Sequence, residues 1–212
     1  QALLRLGTIP AAAAGLLAPT LPAFMQAHPG LQIELIEENS VHLLPELAAG
    51  RLDAVVCRRP GELPGNWVFE LLLADEPVVV LAPGDALTQR PRVTLRDLDS
   101  RAWVLPPQGT GIRAYFDALW AGRERRPTLY PLATTALTVV LEAMRSQAVV
   151  SLMPRSFAQS LVDTGQAAIV PLKLPKTGHT ALEGLGLLTT GQPDPPPLRE
   201  LREWLRPLGG RR

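Results

Sequence analysis

The only cysteine of this sequence, Cys57, stands at the end of an apolar run. A catalytic thiol needs a base and a further group that orients the base. The three histidines, His28, His42 and His179, show no pattern that would supply such a base. A single cysteine also cannot form an internal disulfide. We therefore expect Cys57 to be a small residue of the core.

The acidic residues do not suggest a catalytic pair either. Asp53, Asp75 and Glu76 are scattered along the chain, whereas acid/base catalysis needs groups held in one setting. The Gly-Thr-Gly stretch over 109–111 follows a predicted strand, but it lacks the spacing of a phosphate-binding loop. The sequence therefore predicts no enzyme and no site for a cofactor or a metal ion.

The charge balance gives no sign of a nucleic-acid or membrane surface. Among 212 residues, Lys and Arg number 21 and Asp and Glu number 20, so the formal net charge is +1. Arg123, Arg125 and Arg126 form one local cluster, which is typical of a solvated helix end. Without a signal peptide or a membrane-spanning apolar run, a cytoplasmic protein is expected. A strand-like run follows Gln1 directly, and we expect the chain to be part of a longer polypeptide.

Alternating helices and strands must position the residues that could bind a ligand. The stretch LPELAAGRLDAVVC, residues 44–57, predicts the end of an amphipathic helix, a stop at Gly50 and a strand over 52–57. A strand that is apolar almost throughout is typical of a parallel sheet with helices on both faces. Together with a predicted strand near Leu4, a helix over 19–27 and a strand from Leu31, it gives the order β-α-β-α-β.

The pattern is interrupted after Ala74, and a second series of strands and helices follows. It includes a helix from Ile112, a helix capped by Thr134 or Thr135, and a strand over 149–153. A charged amphipathic helix over 198–208 ends the chain. The order of elements thus predicts an α/β protein with more than one folding unit.

Six stretches, in this order, resemble segments of the effector-binding domain of LysR-type transcriptional regulators. They are LRLGTI, LAPTLPAFMQAHPGLQIELIEENS, LPELAAGRLDAVVCRRP, ADEPVVVLAPGDAL, LRDLDSRAWVLPPQGTGIR and LTVVLEAMRSQAVVSLMP. Together they cover nearly the whole chain. The third and fifth stretches look most like the branch of galactose-binding and protocatechuate-responsive regulators.

The resemblance implies two Rossmann-like α/β subdomains of the periplasmic-binding-protein type II architecture, joined by two crossover segments. Subdomain I would comprise residues 1–75 and 172–212, and subdomain II would comprise residues 76–171. The family's N-terminal winged helix-turn-helix is absent from this chain. DNA recognition would therefore belong to that missing part, and this chain alone should bind DNA only weakly and non-specifically.

The implied function is to sense a small metabolite in the cleft between the subdomains and to transmit its binding to transcription. The resemblance implies an organic acid, an aromatic acid or a sugar as effector, and a homodimer that becomes a tetramer in the full-length protein. In that dimer, the helix containing 21–26 would pack against the partner's helix containing 157–162. Two alternatives share the fold class: a solute-binding protein of a transport system, and an α/β enzyme.

The effector site is expected beyond the carboxyl ends of the strands, where ligands bind in open α/β sheets. Arg58 is the strongest candidate for a charged partner of the ligand, and Arg113 is a weaker one. Ser151 stands where the family often has glycine, and its side chain is expected to enter the pocket. The predicted ligand-binding residues are Thr8, Ile9, Pro10, Asn39, Ser40, Val41, Arg58, Gln108, Gly109, Thr110, Thr134, Thr135 and Ser151.

Overall fold

The computed structural model describes residues 2–175 and 182–207. The chain divides into two compact units, Gln1–Asp75 with Glu183–Arg212, and Glu76–Leu182. The chain passes from the first unit to the second after Asp75 and returns before Glu183.

The first unit contains a five-stranded sheet in the order β2-β1-β3-β10-β4. Its elements are β1 (Ala2–Thr8), α1 (Pro10–Ala12, continued by a π-helical turn over Ala13–Leu17), α2 (Leu21–Ala27), β2 (Leu31–Glu37), α3 (Ser40–Ala48), β3 (Ala54–Arg58), β4 (Val68–Leu73), β10 (Leu185–Thr189) and α7 (Pro196–Leu205). Strand β1 pairs in parallel with β2 and β3, whereas β10 is antiparallel to both β3 and β4.

The predicted helix-strand stretch at the centre of this unit is confirmed. Helix α3 ends at Ala48, and Gly50 adopts the left-handed backbone (φ 70°) that lets the chain reverse. The first four residues of β3 are completely buried, because helices cover both faces of the sheet. On one face, the 0%-exposed side chains of Phe24 and Leu201 belong to the same apolar cluster; on the other, Leu43 packs with Val55.

The second unit contains a sheet in the order β7-β6-β8-β5-β9. Its elements are β5 (Pro77–Leu81), β6 (Ala102–Leu105), α4 (Gly111–Trp120), β7 (Thr128–Ala133), α5 (Leu137–Gln147), β8 (Val150–Pro154), α6 (Arg155–Asp163) and β9 (Ala168–Ile169), with 3-10 turns over Ala86–Gln89 and Leu95–Leu98. Strand β6 pairs in parallel with β7 and β8, and β5 is antiparallel to β8 and β9.

Helices cover both faces of this second sheet as well. Tyr115 and Phe116 of α4 pack with Trp103 of β6 in one apolar cluster. On the other face, Met144 of α5 and Leu161 of α6 pack in a second cluster. The α4 spacing of apolar residues that predicted one buried face is therefore confirmed.

The return to the first unit lies later than Leu172-Lys173, where the sequence placed it. The side chains of Leu172, Leu174 and Leu182 all pack against the core of the second unit. The carbonyl of Pro175 also accepts a hydrogen bond from the Tyr115 hydroxyl at 2.6 Å. These contacts place residues 172–175 and Leu182 on the second unit, and the two compact units divide between Leu182 and Glu183.

Two predicted helix boundaries also differ from the structure. The predicted helix over 19–27 begins at Leu21, and an additional helical segment precedes it from Pro10 to Leu17. That segment is rich in Ala and Leu and has no polar face, so it lacks the periodic signal of an amphipathic helix. Helix α5 begins at Leu137 with Ala136 as its N-cap, rather than with Thr134 or Thr135. Leu208, predicted as the end of the last helix, lies outside the described residues.

Candidate functional site

Three predicted segments of the first unit meet at one edge of its sheet. Strand β1 ends at Thr8, opposite Glu37 of β2 and Val56 of β3. The amide of Glu38 donates to the Thr8 carbonyl at 3.0 Å, and the amide of Ile9 donates to the Val56 carbonyl at 3.2 Å. Because the three strands are parallel, their carboxyl ends lie side by side, as the sequence predicted.

The residues after β1 offer little to a ligand. Thr8 is completely buried, and its hydroxyl donates to the carbonyls of Ile9 (3.1 Å) and Val56 (3.3 Å). Ile9 is half-buried and packs against the core, whereas Pro10 is exposed at the first position of α1. Thr8 therefore serves to fasten β1 to β3.

The start of α3 is the open part of this edge. Asn39 is the N-cap residue of α3, and its side chain makes no capping hydrogen bond. Within the described chain, the hydroxyl of Ser40 has no hydrogen-bond partner either. Val41 is 77% exposed. An exposed helix start with free amides and two unengaged polar side chains suits an anionic or hydroxylated group.

Arg58 follows β3, but its charge is already paired. Its guanidinium lies 2.9 Å from the Asp75 carboxylate, whose side chain is only 1% exposed. A second guanidinium nitrogen donates to the carbonyl of Glu183 at 2.5 Å. These contacts connect the end of β3 to Asp75, where the chain leaves the unit, and to Glu183, where it returns. Arg58 is therefore an ion-pair partner within its unit, and its expected role as a charged partner of the ligand stays a prediction.

In the second unit, the loop before α4 is an organised polar cluster. Thr110 is the N-cap of α4: its hydroxyl accepts from the Arg113 amide at 3.3 Å and donates to the Pro107 carbonyl at 3.2 Å. The Gln108 amide, oriented by its partners, accepts from the Arg113 guanidinium (2.9 Å) and donates to Asp117 (3.2 Å). Gly109 has a φ of 90°, a backbone conformation that glycine adopts readily and other residues rarely adopt. Arg113 also forms an ion pair with Asp117 at 3.1 Å, so the loop holds the exposed Gln108 amide beside a paired guanidinium.

The remaining predicted residues of this unit lie beside that loop. Thr134 follows β7, and its amide donates to the carbonyl of Leu105 at 3.0 Å. Its hydroxyl accepts from the Ala136 amide at 3.0 Å, which forms a turn before α5 and replaces the predicted helix cap. Thr135 is exposed. The parallel strands β6, β7 and β8 therefore bring these segments to one edge.

Ser151 is placed differently from the expectation. Its side chain is 3% exposed, and its hydroxyl donates to the Val104 carbonyl at 3.0 Å. It is a buried cross-strand contact between β8 and β6. Strand β8 is buried on both faces, so its sequence does not alternate between apolar and polar residues. The sequence therefore could not show which way the Ser151 side chain points.

The environment of Cys57 does not suit thiol chemistry. Burial raises the pKa of the Cys57 thiol to about 12, so at neutral pH it stays protonated and unreactive. Among the described residues, no three His, Cys, Asp or Glu side chains lie together as a metal site. None of the helices in the described part of the chain is long and apolar enough to cross a membrane.

The family model described as the LysR substrate binding domain matches residues 1–209. The chain belongs to this family. The resemblance stated from the sequence is thereby confirmed, whereas the branch within the LysR regulators stays a prediction.

This LysR substrate-binding domain is similar to known regulators and to solved effector-binding domains. It is 36% identical over 112 residues to the HTH-type transcriptional regulator TtuA of Agrobacterium vitis, a match that covers 53% of this chain and 37% of TtuA. The chain spans about half or less of the length of the first curated relatives that it matches.

Two solved structures show the same fold. The BenM effector binding domain with its effector benzoate has a TM-score of 0.75 and 22% identity, over 98% of this chain and 92% of that one. The QuiR effector binding domain in complex with shikimate has a TM-score of 0.69 and 18% identity, over 99% of this chain and 98% of that one. The predicted type II periplasmic-binding-like fold of two α/β subdomains is confirmed.

Proposed function

We propose that this chain is the effector-sensing domain of a LysR-type transcriptional regulator in the cytoplasm and that it has no catalytic activity. In each unit, the carboxyl ends of parallel strands meet polar side chains at the start of a helix, and this observation carries the proposal. The candidate effector contacts are Asn39 and Ser40 in the first unit, and Gln108, Thr110 and Arg113 in the second. Binding need only favour one conformation over another to change transcription.

The chemistry at the two edges favours a small effector with a carboxylate and hydroxyl groups. Ser40 and the amides at the start of α3 would bind an anion, because a helix N-terminus carries partial positive charge. Arg113 is paired with Asp117 at 3.1 Å, but a guanidinium has five N–H donors, and one of the others would supply a charge-assisted hydrogen bond. The BenM and QuiR domains bind benzoate and shikimate, respectively, and both ligands are small ring carboxylates. An organic acid, an aromatic acid or a sugar acid therefore suits this chain better than a neutral sugar.

The full-length protein would recognise DNA through a winged helix-turn-helix outside this chain. The domain would pair as a homodimer through α2 of one protomer and α6 of its partner, and the complete regulator would form a tetramer. Family membership supports these assignments over the alternative of a solute-binding protein for transport.

A thermal-shift screen of aromatic acids, sugar acids and sugars tests the proposal, because a ligand that binds the native state raises its unfolding midpoint. Calorimetry with the best hit would then compare Ser40→Ala, Thr110→Ala and Arg113→Gln with Ser146→Ala, an exposed position on α5. We expect the first three variants to bind the ligand at least about fivefold more weakly than the wild type. The control variant should bind it with unchanged affinity. Affinities within about twofold of wild type for all three, roughly 0.4 kcal/mol, would place the effector elsewhere.

A further inference from the structure

Two arginine-rich segments of the second unit lie next to each other, although they are far apart in the sequence. The first segment, residues 90–99, contains the 3-10 turn Leu95–Leu98, and the second, residues 123–126, connects α4 to β7. Asp99 forms an ion pair with Arg125, which joins the two segments. We call the exposed surface of both segments the arginine patch, and its arginines are Arg90, Arg92, Arg96, Arg123, Arg125 and Arg126.

The arginine patch lies at the amino edge of the second sheet. The first segment ends shortly before β6, and Arg126 lies shortly before the start of β7. Because β6 and β7 are parallel, their starts share one edge. Gln108 and Thr110, the candidate effector contacts of this unit, instead follow the carboxyl end of β6. A partner of the patch and an effector can therefore be tested separately.

Contacts within the unit hold part of the patch in place. Arg90 forms an ion pair with Asp97 at 2.7 Å. The Arg123 side chain donates to the Leu119 carbonyl at 2.8 Å, and its guanidinium lies 5.6 Å from the centroid of the Trp120 ring. The two segments are thus fixed to the unit by their own side chains, and they present their charges from an ordered surface.

The other arginines of the patch leave an excess of positive charge. The exposed side chains of Arg92, Arg96 and Arg126 have no hydrogen bond or ion pair within the described ranges 2–175 and 182–207. The residues outside these ranges include no Asp or Glu. The two segments contain six arginines but only three acids, whereas the formal net charge of the whole chain is +1. The fold therefore gathers positive charge at this edge, and such a surface attracts an anionic partner.

The patch offers charge but almost no apolar surface. Val93 and Leu98 are 2% and 1% exposed, and Leu95 packs against the core of the unit. Apart from Pro91, the exposed residues of the two segments are polar or charged. Protein interfaces usually have an apolar core with aromatic or aliphatic anchors, which this surface does not supply. A partner recognised through its charge fits the patch better.

We propose that the arginine patch binds the phosphate backbone of double-stranded DNA without reading its sequence. Duplex DNA carries a dense row of negative charge, and a guanidinium binds phosphate with charge-assisted hydrogen bonds. The proposal goes beyond effector sensing and rests on the proposed function in one respect: the complete regulator would hold this unit close to DNA, which raises the effective concentration. The weak, non-specific DNA binding expected of this chain would then come from the patch.

Fluorescence anisotropy of a labelled DNA duplex of arbitrary sequence, titrated with this chain between about 50 and 200 mM NaCl, tests the proposal. Each phosphate contact releases counterions and contributes about 0.9 to the slope of log Kd against log salt. The triple variant Arg92→Gln, Arg96→Gln and Arg126→Gln removes the three unpaired cations. At the lowest salt it should bind the duplex at least about tenfold more weakly than the wild type, with a slope smaller by about 2–3.

A control triple variant removes the same charge from other places. Arg59, Arg145 and Arg199 are exposed and lie outside the patch. Arg59→Gln, Arg145→Gln and Arg199→Gln combined should keep the affinity within about threefold of the wild type and leave the salt slope unchanged. Equal losses of affinity in the two glutamine variants would show that net charge alone attracts DNA, and this result would overturn the proposal.

A charge-preserving variant separates loss of charge from loss of folding. Arg92→Lys, Arg96→Lys and Arg126→Lys combined keep the three cations, and lysine also binds phosphate, so the affinity should stay within about threefold of the wild type. If the lysine variant loses as much affinity as the glutamine variant, the charge of the patch is not what binds DNA, and the proposal fails.

Competition with poly-L-glutamate tests an acidic protein as the partner. Its charges are less dense than those of duplex DNA, so displacing the labelled duplex should need at least about fivefold more polymer charge than with unlabelled DNA. Displacement at equal charge concentration would assign the patch to acidic proteins and overturn the proposal. The effector screen contains no DNA, so a failure of the sensing function and a failure of the arginine patch are distinguishable.

Discussion

At the scale of single residues, Arg58 shows how a charge near a candidate site can be structural. Its partner Asp75 is almost fully buried, and a buried carboxylate that loses its cation pays a large desolvation cost. Because Arg58 also holds the Glu183 carbonyl, it ties the two ends of the crossover to the first unit. Its contribution should therefore appear in stability rather than in ligand affinity.

We predict that Arg58→Ala lowers the free energy of unfolding by about 2–4 kcal/mol. Urea denaturation followed by circular dichroism would measure this change. The neighbouring Arg59→Ala is the matched control: Arg59 is exposed and has no partner in the described chain, so it should change stability by less than about 0.5 kcal/mol. If the two variants are equally stable, the Arg58–Asp75 pair contributes nothing.

Cys57 gives a prediction for alkaline pH. Burial raises the pKa of its thiol from 9.0 in the unfolded reference to about 12 in the folded protein. The folded state therefore keeps its proton where the unfolded state loses it, and stability falls as pH rises above 9.0. We expect the urea midpoint of the wild type to fall more steeply above pH 9.0 than that of Cys57→Ala. Parallel pH dependences of the two proteins would contradict the burial of this thiol.

At the scale of elements, α7 is fastened to the edge strand β4 by charge as well as by apolar packing. Leu198, Leu201 and Leu205 are each 0% exposed. On the flank of the helix, Arg202 donates to Glu70 at 2.5 Å and Arg206 donates to the same carboxylate at 2.7 Å. The helix is thus held along its length by two kinds of contact.

This cluster predicts a loss of stability in acid. Burial alone would raise the pKa of Glu70, but the hydrogen bonds from Arg206 and Arg202 outweigh it and lower that pKa below 4.5. A lowered folded-state pKa adds stability above pH 4.5 that is lost as pH falls below this value. Glu70→Gln should therefore cost about 1–2 kcal/mol at neutral pH and progressively less in acid, as measured by urea denaturation.

The control for this prediction lies on the same helix. Glu203 also pairs with Arg206, but its side chain is 64% exposed, so Glu203→Gln should change stability by less than about 0.5 kcal/mol at any pH. A Glu70→Gln penalty that stayed constant down to strong acid would show that packing, and not charge, holds Glu70 in place.

The elements also show what the sequence could and could not predict. The helix-strand order and the glycine stop at Gly50 follow from local periodicity and backbone preference, which are written in neighbouring residues. The antiparallel pairing of β10 with β3 joins residues that are far apart in the chain, so no local sequence pattern predicts it. The same holds for side chains: the cap at Thr110 is local, but the Arg58–Asp75 pair and the Ser151–Val104 bond depend on distant partners.

At the scale of the whole molecule, the two units have separate cores, and the chain joins them after Asp75 and before Glu183. An effector that binds one conformation better than another can therefore shift the equilibrium between them without disturbing either core. The proposed dimer adds a second way for this change to be transmitted, because α2 and α6 belong to different units.

A dimer formed by α2 of one protomer and α6 of its partner can be broken by charge. In a two-fold dimer, each substitution is present once in each protomer. Gln26→Glu combined with Ser160→Glu therefore adds four carboxylates to the contacts between protomers, where burial of an unpaired charge is unfavourable. Gln26 is exposed and Ser160 is half-buried, so both changes should leave the monomer folded. We expect sedimentation velocity to show a dimer for the wild type and a monomer for the double variant. Gln147→Glu, exposed at the end of α5, is the control and should remain dimeric. A double variant that keeps the dimer mass would move the interface to other helices.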